Sequence, residues 1–276
     1  MAIVPVTRER HTGKAWVRFT DYTFAAGTNV VPLAAKEIPH AARTLPLAFI
    51  EFNGKPTLSA LLGITSGQNL FVAPDGRWLG SYVPAALRAH PFRLARVETA
   101  GIVLCIDENS GLVRDVMAGE DSVPFFDDAG NTHPEIQKVI EFLEKVRQGA
   151  EVVEKATAMA KKCGLLEEWP MAIKATDDRA EYKIGGVSRI NEAALNALSS
   201  DDLISLRDVG GLALAYAQII SMRNIGLLST LARAQADARA TLASRMAIPE
   251  GSFISDDDDE LKIDWNAFLK DDEPKQ

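Results

Sequence analysis

Residues 134–162 read PEIQKVIEFLEKVRQGAEVVEKATAMAKK, and this stretch decides the fold class. Its apolar residues recur at steps of three and four, which places them on one face of an α-helix. They are Ile136, Val139, Ile140, Leu143, Val146, Val152, Val153, Ala156, Met159 and Ala160, with Cys163 continuing the stripe. Gly164 then suits a helix C-terminus, since glycine adopts the left-handed conformation there readily. We predict one long helix, or a kinked pair, ending near Lys162.

Residues 1–132, which precede this stretch, have the pattern of β-strands. Short apolar or alternating runs are separated by Gly, Pro, Asn and Asp. These runs are 46–52, 58–64, 69–72 and 102–106. Asn53-Gly54 and Pro74-Asp75-Gly76 have turn chemistry and predict hairpins. We therefore expect a β-rich N-terminal half with hairpins, interrupted by one short helix at 34–44.

Beyond Gly164 the sequence predicts a small β-hairpin and then more helices. Strand-like runs at 171–175 and 181–184 flank a polar turn. Helix-start residues and stretches rich in alanine and leucine follow this hairpin. The predicted class is therefore α+β. Its parts are a β-rich half at 1–132, a mainly helical half at 133–255 and an acidic tail at 256–276 with an aromatic anchor.

The charge of the chain is concentrated in its tail. Residues 256–276 hold nine acidic residues and three lysines, so they carry −6 of the net charge of −8. The rest of the chain is nearly neutral. Proteins that bind duplex nucleic acid need clustered Lys and Arg to neutralise phosphates. We therefore expect no nucleic-acid partner.

The same tail contains a pattern typical of a docking peptide. Trp265, Phe268 and Leu269 have i, i+3, i+4 spacing, so a helical turn would place them on one face with acidic residues around it. Such segments bind apolar grooves, with charge for steering and aromatic side chains for anchoring. We predict that the tail docks on a protein partner or on a second copy of the chain. Docking on the chain's own body is the alternative, since it gains from a high effective concentration.

Composition also bears on compartment. The N-terminal region lacks the pattern of a secretory signal. The most apolar stretch, 209–228, is interrupted by Gln218, Arg223 and Asn224, which leaves runs too short for a span of about 20 residues. The two cysteines have no paired spacing and lie among apolar residues. We expect no membrane span, reduced thiols and a cytoplasmic location.

The motifs of common catalytic and cofactor sites are missing from the sequence. None of the four histidines has a metal-ligand spacing, and the chain contains no phosphate-binding loop and no nucleophile elbow. We predict that the protein binds no metal and no cofactor, and we favour a non-catalytic protein over an enzyme. An enzyme remains an alternative, because acid–base catalysis needs only two well-placed groups. Its dispersed candidates are His40, Arg43, Arg88, His90 and Asp107.

The stretch after the second turn is the main candidate for binding. It combines the candidate binding residues Arg77, Trp78, Tyr82 and Arg88. Arginine and aromatic residues are enriched at binding hot spots, since they provide large contact areas and directional hydrogen bonds. In the alternative interpretation Trp78, Tyr82 and Phe92 fill the β core while the arginines extend to solvent.

Several uncommon sequence blocks occur in a fixed order and resemble the SapC family. They include YTFA at 22–25, GQNLFV at 67–72, GRW at 76–78, YVP at 82–84 and LCIDE at 104–108. The resemblance extends from about Tyr22 to Leu228. The family is named for a protein encoded alongside surface-layer protein secretion genes, and it has no established reaction. The resemblance therefore implies a link to surface-layer export or assembly but no catalytic residue.

Together these observations favour a soluble, non-catalytic binding or scaffold protein. The missing catalytic motifs, the aromatic and arginine segment, and the acidic tail all support this interpretation. An alternative is a structural subunit of a larger cellular or viral assembly, in which the tail docks on a neighbour.

Overall fold

The computed structural model describes residues 3–98, 101–116, 122–174, 181–246, 253–254 and 262–263. Residues 1–233 form one compact unit, and residues 234–276 form a second. The second unit holds the end of a long helix and one pair of short strands. The predicted anchor residues Trp265, Phe268 and Leu269 lie outside the described residues.

The elements confirm the α+β class and the predicted order of strands before helices. The strands are β1 (Ile3–Pro5), β2 (Lys14–Val17), β3 (Val30–Pro32), β4 (Leu47–Phe52), β5 (Lys55–Leu61), β6 (Phe92–Val97), β7 (Gly101–Asp107), β8 (Val113–Asp115), β9 (Ser122–Pro124), β10 (Leu166–Glu168), β11 (Met171–Lys174), β12 (Glu181–Ile184), β13 (Val187–Ile190), β14 (Phe253–Ile254) and β15 (Lys262–Ile263). The α-helices are α1 (Arg8–His11), α2 (Ile38–Ala41), α3 (Ala85–Arg88), α4 (Pro134–Lys162), α5 (Glu192–Asn196), α6 (Ser200–Asp208), α7 (Gly211–Ser221) and α8 (Ile225–Met246).

A five-stranded antiparallel sheet is the centre of the first unit. Its order is β10-β13-β4-β5-β3. The β4–β5 hairpin turns at Asn53 and Gly54, which both have positive φ, and this confirms the predicted turn. Strand β13 follows α4 in the sequence, whereas β4 precedes it, and yet the two strands pair. The sheet therefore joins strands from both sequence halves.

The second predicted turn, Pro74-Asp75-Gly76, forms but does not lead into a regular hairpin. Only an isolated bridge between Val72 and Trp78 follows it. The Leu79 N–H donates to the Phe71 carbonyl, and the chain then turns away toward α3. This departure leaves Tyr82 beside α3 instead of in a strand.

The long helix α4 is unbroken from Pro134 to Lys162, which is the first of the two predicted alternatives, one long helix or a kinked pair. Its length is about 43 Å at 1.5 Å per residue. The His133 side chain accepts a hydrogen bond from the Glu135 N–H at the start, and Gly164 has a φ of 68° after the end. The first half packs on a small core with Phe92 and Phe125, and the second half packs on the core of the central sheet.

Helix α7 is held against the central sheet by polar side chains. The Gln218 amide donates to the Leu47 carbonyl (3.1 Å) and accepts from the Ile190 N–H (2.9 Å). Ser221 accepts from the Leu47 N–H, and Asn224 donates to the Ala42 and Leu45 carbonyls. The polar residues that interrupt this apolar stretch therefore form hydrogen bonds with the backbone of β4, of β13 and of the segment before β4.

By length and composition alone, one helix of the described residues could cross a membrane. It runs over Gly211–Ala238, with a mean hydropathy of 1.2 over its most apolar window. Core helices of proteins that do not enter membranes meet the same criteria. The bonds of Gln218 and Ser221 to the sheet, and of Asn224 to the segment before β4, fit such a core helix, whereas only 33% of the apolar window is buried.

Candidate functional site

A pocket of about 510 Å³ lies where α4 passes the segment Ala34–His40 and helix α3. We call it the Tyr82 pocket. It is lined by Ala34, Lys36, Glu37, His40, Ser81, Tyr82, Val83, Ala85, Arg88, Phe142, Lys145 and Val146. Three separate parts of the chain thus supply its walls, so no local sequence motif could have defined it.

Arg88 is held in one orientation on the wall of this pocket. Its Nε donates to the Val83 carbonyl (3.1 Å). The centre of its guanidinium lies 5.9 Å from the Tyr82 ring centre and 5.2 Å from the Phe142 ring centre. Contacts of this kind between a cation and two aromatic rings fix the charge without neutralising it. Arg88 also interacts by a side-chain hydrogen bond with Tyr82, and no described carboxylate pairs with its charge.

A buried carboxyl group, that of Glu37, lies next to Tyr82 and Arg88 in the wall of the pocket. Glu37 is 5% exposed, and its Oε2 accepts a hydrogen bond from the Ala85 N–H (3.0 Å), the first residue of α3. Burial raises the pKa of Glu37, and the positive charge of Arg88 acts in the opposite direction. Burial also raises the pKa of Tyr82, with a further contribution from the charge of Glu37. Glu37, Tyr82 and Arg88 are therefore electrostatically coupled.

The charges that face the pocket are mainly positive. Lys36, Arg88 and Lys145 come from three different elements. Among the residues that the structure describes, no carboxylate lies within 4.0 Å of their charged nitrogens. Glu37 is the one carboxylate in the lining, and His40 stacks parallel to the Tyr82 ring at 5.9 Å between centres. The pocket can thus hold an anionic group next to an aromatic surface.

Of the four binding residues predicted in the segment 77–88, the structure brings two into this pocket. They are Tyr82 and Arg88. Arg77 lies outside it, exposed, and its Nε is 2.6 Å from Asp75 Oδ2. Trp78 is half-buried, stacks on Phe71 and donates its indole N–H to the Tyr82 carbonyl (3.1 Å). Trp78 therefore supports the loop that carries Tyr82, in keeping with the packing interpretation.

The dispersed residues of the enzyme alternative are divided among three pockets. His40 and Arg88 line the Tyr82 pocket, whereas Arg43 lines an apolar groove on the other side of α2. His90 and Asp107 line a third pocket of about 540 Å³. There the His90 ring stacks on Phe24 at 3.8 Å, and burial lowers the pKa of His90 although the charge of Asp107 raises it. These five residues do not form one site.

Sequence reasoning missed Glu37, Phe142 and Lys145. Glu37 lies in a segment predicted to be helical, where a glutamate is ordinarily a solvated surface residue. Phe142 and Lys145 lie on α4, at positions that the apolar stripe does not single out. Their association with Tyr82 depends on long-range packing. Within the described part of the chain, no three His, Cys, Asp or Glu side chains are placed to hold a metal ion.

The family model for SapC matches residues 6–228 of the chain. The chain belongs to the SapC family. This SapC-family region contains every residue of the Tyr82 pocket and leaves out the acidic tail. No curated protein shows a significant match to the chain, and neither does any solved structure.

Proposed function

We propose that this SapC-family protein is a non-catalytic binding protein that captures an anionic segment of a protein partner in the Tyr82 pocket. One observation carries the proposal. Lys36, Arg88 and Lys145, none of them in an ion pair with another described residue, converge on one concave surface beside Tyr82. The partner chemistry that matches it is a carboxylate with a neighbouring apolar side chain.

The orientation of Arg88 supports this choice of ligand. A guanidinium presents two parallel N–H groups to a carboxylate, a geometry that a lysine cannot offer. Because Val83, Tyr82 and Phe142 already hold Arg88, binding loses little side-chain entropy. The rings of Tyr82 and Phe142 would then contact the apolar neighbour. Arginine and tyrosine are the residue types that most often dominate binding energy.

Binding of a labelled acidic peptide tests the proposal. The probe is a fluorescein-labelled peptide with two glutamates around one phenylalanine, compared with the same peptide carrying glutamines. We expect the acidic peptide to bind more tightly, and Arg88→Gln to weaken it. A hydrogen bond to a charged group contributes about 1.5–3 kcal/mol, so the loss should be about tenfold to a hundredfold.

Arg77→Gln is the matched control, since Arg77 is an exposed arginine of the same segment that does not line the pocket. It should change the affinity less than twofold. Equal effects of the two substitutions would show that only the overall charge matters, and would refute a defined site. Equal affinity for the glutamate and glutamine peptides would refute the anionic ligand.

The proposed partner belongs to surface-layer protein export or assembly, a link that rests on the family's name. We also propose that residues 256–276 engage a protein partner or a second copy, on the basis of the spacing of Trp265, Phe268 and Leu269. The free cysteines Cys105 and Cys163 support a cytoplasmic setting. Light scattering of the full chain and of the chain lacking 256–276 tests whether the tail binds a second copy. If it does, the measured mass of the full chain increases with concentration, and the deletion abolishes this increase.

A further inference from the structure

An apolar groove of about 490 Å³ lies between α7, α4 and α2, separate from the Tyr82 pocket. Its lining is Ala35, Ile38, Pro39, Ala42, Arg43, Val152, Val153, Ala156, Gly210, Ala213, Leu214, Tyr216, Ala217 and Ile220. Three large apolar side chains in this lining are substantially exposed: Val152 at 47%, Tyr216 at 49% and Ile220 at 56%. Exposed apolar residues are ordinary when single, but clustered around a concave surface they mark an interaction site.

The shape of the groove suits a helical ligand. Small residues form much of its wall, and they allow a second backbone to approach closely. Along α7 the lining extends from Gly210 to Ile220, about 15 Å at 1.5 Å per residue. That length matches roughly three turns of a partner helix, which would insert side chains at i, i+3 and i+4.

The groove carries one charged group. Arg43 is exposed, and no described carboxylate lies within 4.0 Å of its guanidinium. An apolar groove with one available cation matches a ligand helix that has an apolar face and acidic flanks. It does not match a basic amphipathic helix, which Arg43 would repel.

The groove and the Tyr82 pocket lie on opposite sides of the same short segment. Between Ala34 and Arg43, the residues divide between the two: Lys36, Glu37 and His40 line the pocket, while Ile38 and Ala42 line the groove. Helix α4 also contributes to both. Its contribution to the pocket is Phe142–Val146 and its contribution to the groove is Val152–Ala156, ten residues further and hence about 15 Å away.

We infer that the groove and the Tyr82 pocket form one two-part surface for a segment of a partner protein. The segment has an amphipathic helical anchor for the groove and carboxylates for the pocket. The α4 residues of the two parts are offset by about 15 Å along that helix. Because the parts lie on opposite sides of the segment 34–43, the connecting stretch needs more than the roughly five extended residues that this offset alone would require. The role of the Tyr82 pocket in this inference rests on the proposed function, whereas the groove is an independent observation.

A peptide of matching chemistry provides the test. Residues 255–270 contain an acidic run at 256–260 and the apolar set Trp265, Phe268 and Leu269. A fluorescein-labelled synthetic peptide of this sequence is titrated with the full-length protein and with the chain lacking residues 256–276, and binding is followed by fluorescence anisotropy. Clearly tighter binding to the shortened chain would show that the chain's own tail occupies the surface, and would overturn a partner segment as its occupant. Two further peptides replace either the acidic run by asparagine and glutamine or the apolar set by alanine. Each should bind at least tenfold more weakly than the first.

Matched protein variants separate the two halves of the surface. Ile220→Ser removes an exposed isoleucine of the groove, and Ile204→Ser removes one of similar exposure on α6 that does not line it. Arg88→Gln and Arg77→Gln form the second pair. We expect Ile220→Ser and Arg88→Gln each to weaken binding at least fivefold, with the two controls within twofold. Far-ultraviolet circular dichroism checks that all four variants are folded.

The remaining outcomes each refute a defined part. If only Arg88→Gln weakens binding, the proposed function stands and the two-part surface is wrong. If only Ile220→Ser does, the groove binds alone, and both the two-part surface and the anionic pocket are wrong. If neither does, both proposals fail. Association with neutral lipid vesicles that depends on Ile220, without peptide binding, would assign the groove to a lipid surface instead.

Discussion

Replacing Gln218 by methionine should destabilise the first unit strongly, because this side chain completes the central sheet. Strands β4 and β13 pair at Val187–Ile50 and at Ser188–Phe49. Continuing this register would place Leu47 opposite Ile190. The Gln218 amide lies there instead, with one bond to each of these two residues. A helix side chain thus takes the place of a ladder bond between the strands.

The expected loss follows from those two bonds. Gln218 is fully buried, and Leu47 and Ile190 are almost fully buried, so methionine would leave a carbonyl and an N–H without a partner and without water. Each unsatisfied buried group costs about 1–3 kcal/mol. The variant Gln218→Met should therefore lose about 2–6 kcal/mol of unfolding free energy. Total stabilities are typically about 5–15 kcal/mol, so the loss is a large fraction.

Equilibrium urea unfolding, followed by circular dichroism at neutral pH, measures this loss. Gln148→Met is the matched control, since Gln148 is an exposed residue of α4 with one hydrogen bond, to Glu144 (3.0 Å). The control should stay within about 0.5 kcal/mol of the wild type. If Gln218→Met lost no more than the control, the reasoning that α7 closes the gap between β4 and β13 would be refuted.

Three further predictions concern buried groups and close approaches. Burial lowers the pKa of His11, so the unfolded chain binds a proton first as the pH falls below about 6.5; stability in urea should decrease there, and less so in His11→Gln. Burial raises the pKa of Glu37, so the unfolded chain loses this proton first and the wild type loses stability as the pH rises from about 4.5 toward the raised pKa; Glu37→Gln should not show this loss. A methyl group at Gly211 would collide with the buried Leu206, so Gly211→Ala should cost about 1–3 kcal/mol of unfolding free energy. Gly226→Ala, where a methyl group meets nothing within 4 Å, should instead gain up to about 1 kcal/mol by thermal or urea unfolding, and the opposite ranking would contradict the close contact between Gly211 and Leu206.

The elements that sequence reasoning predicted well are those specified by local patterns. The apolar stripe of α4 has the helical period over its whole length, and Asn53-Gly54 adopts the positive φ values that its turn requires. The pairing of β11 with β12 likewise follows from two strand-like runs that flank a polar stretch of sequence. Each of these depends on residues close together in sequence, so no knowledge of the rest of the chain is needed.

The hairpin predicted at Pro74-Asp75-Gly76 shows the limit of local patterns. The turn chemistry of these residues favours a hairpin, yet only Val72 and Trp78 pair across it. The contact of Trp78 with Phe71 and the hydrogen bond of its indole to the Tyr82 carbonyl hold this segment as a loop. Tyr22 adds contacts from a distant part of the chain, since its N–H donates to the Gly76 carbonyl and its ring centre lies 5.6 Å from that of Trp78. Together these contacts outweigh a weak strand propensity.

The amino-acid sequence by itself determined the α+β class, the extent of α4, the family and the two turn positions, since periodicity and turn chemistry act over a few residues. Only the tertiary structure decided that β13 joins β4, that Gln218 bridges them, and that Glu37, Tyr82, Arg88 and Lys145 share one pocket. The reason is physical. Such contacts depend on which surfaces meet when the whole apolar core is buried. The local sequence around each residue does not indicate which distant residue it will contact.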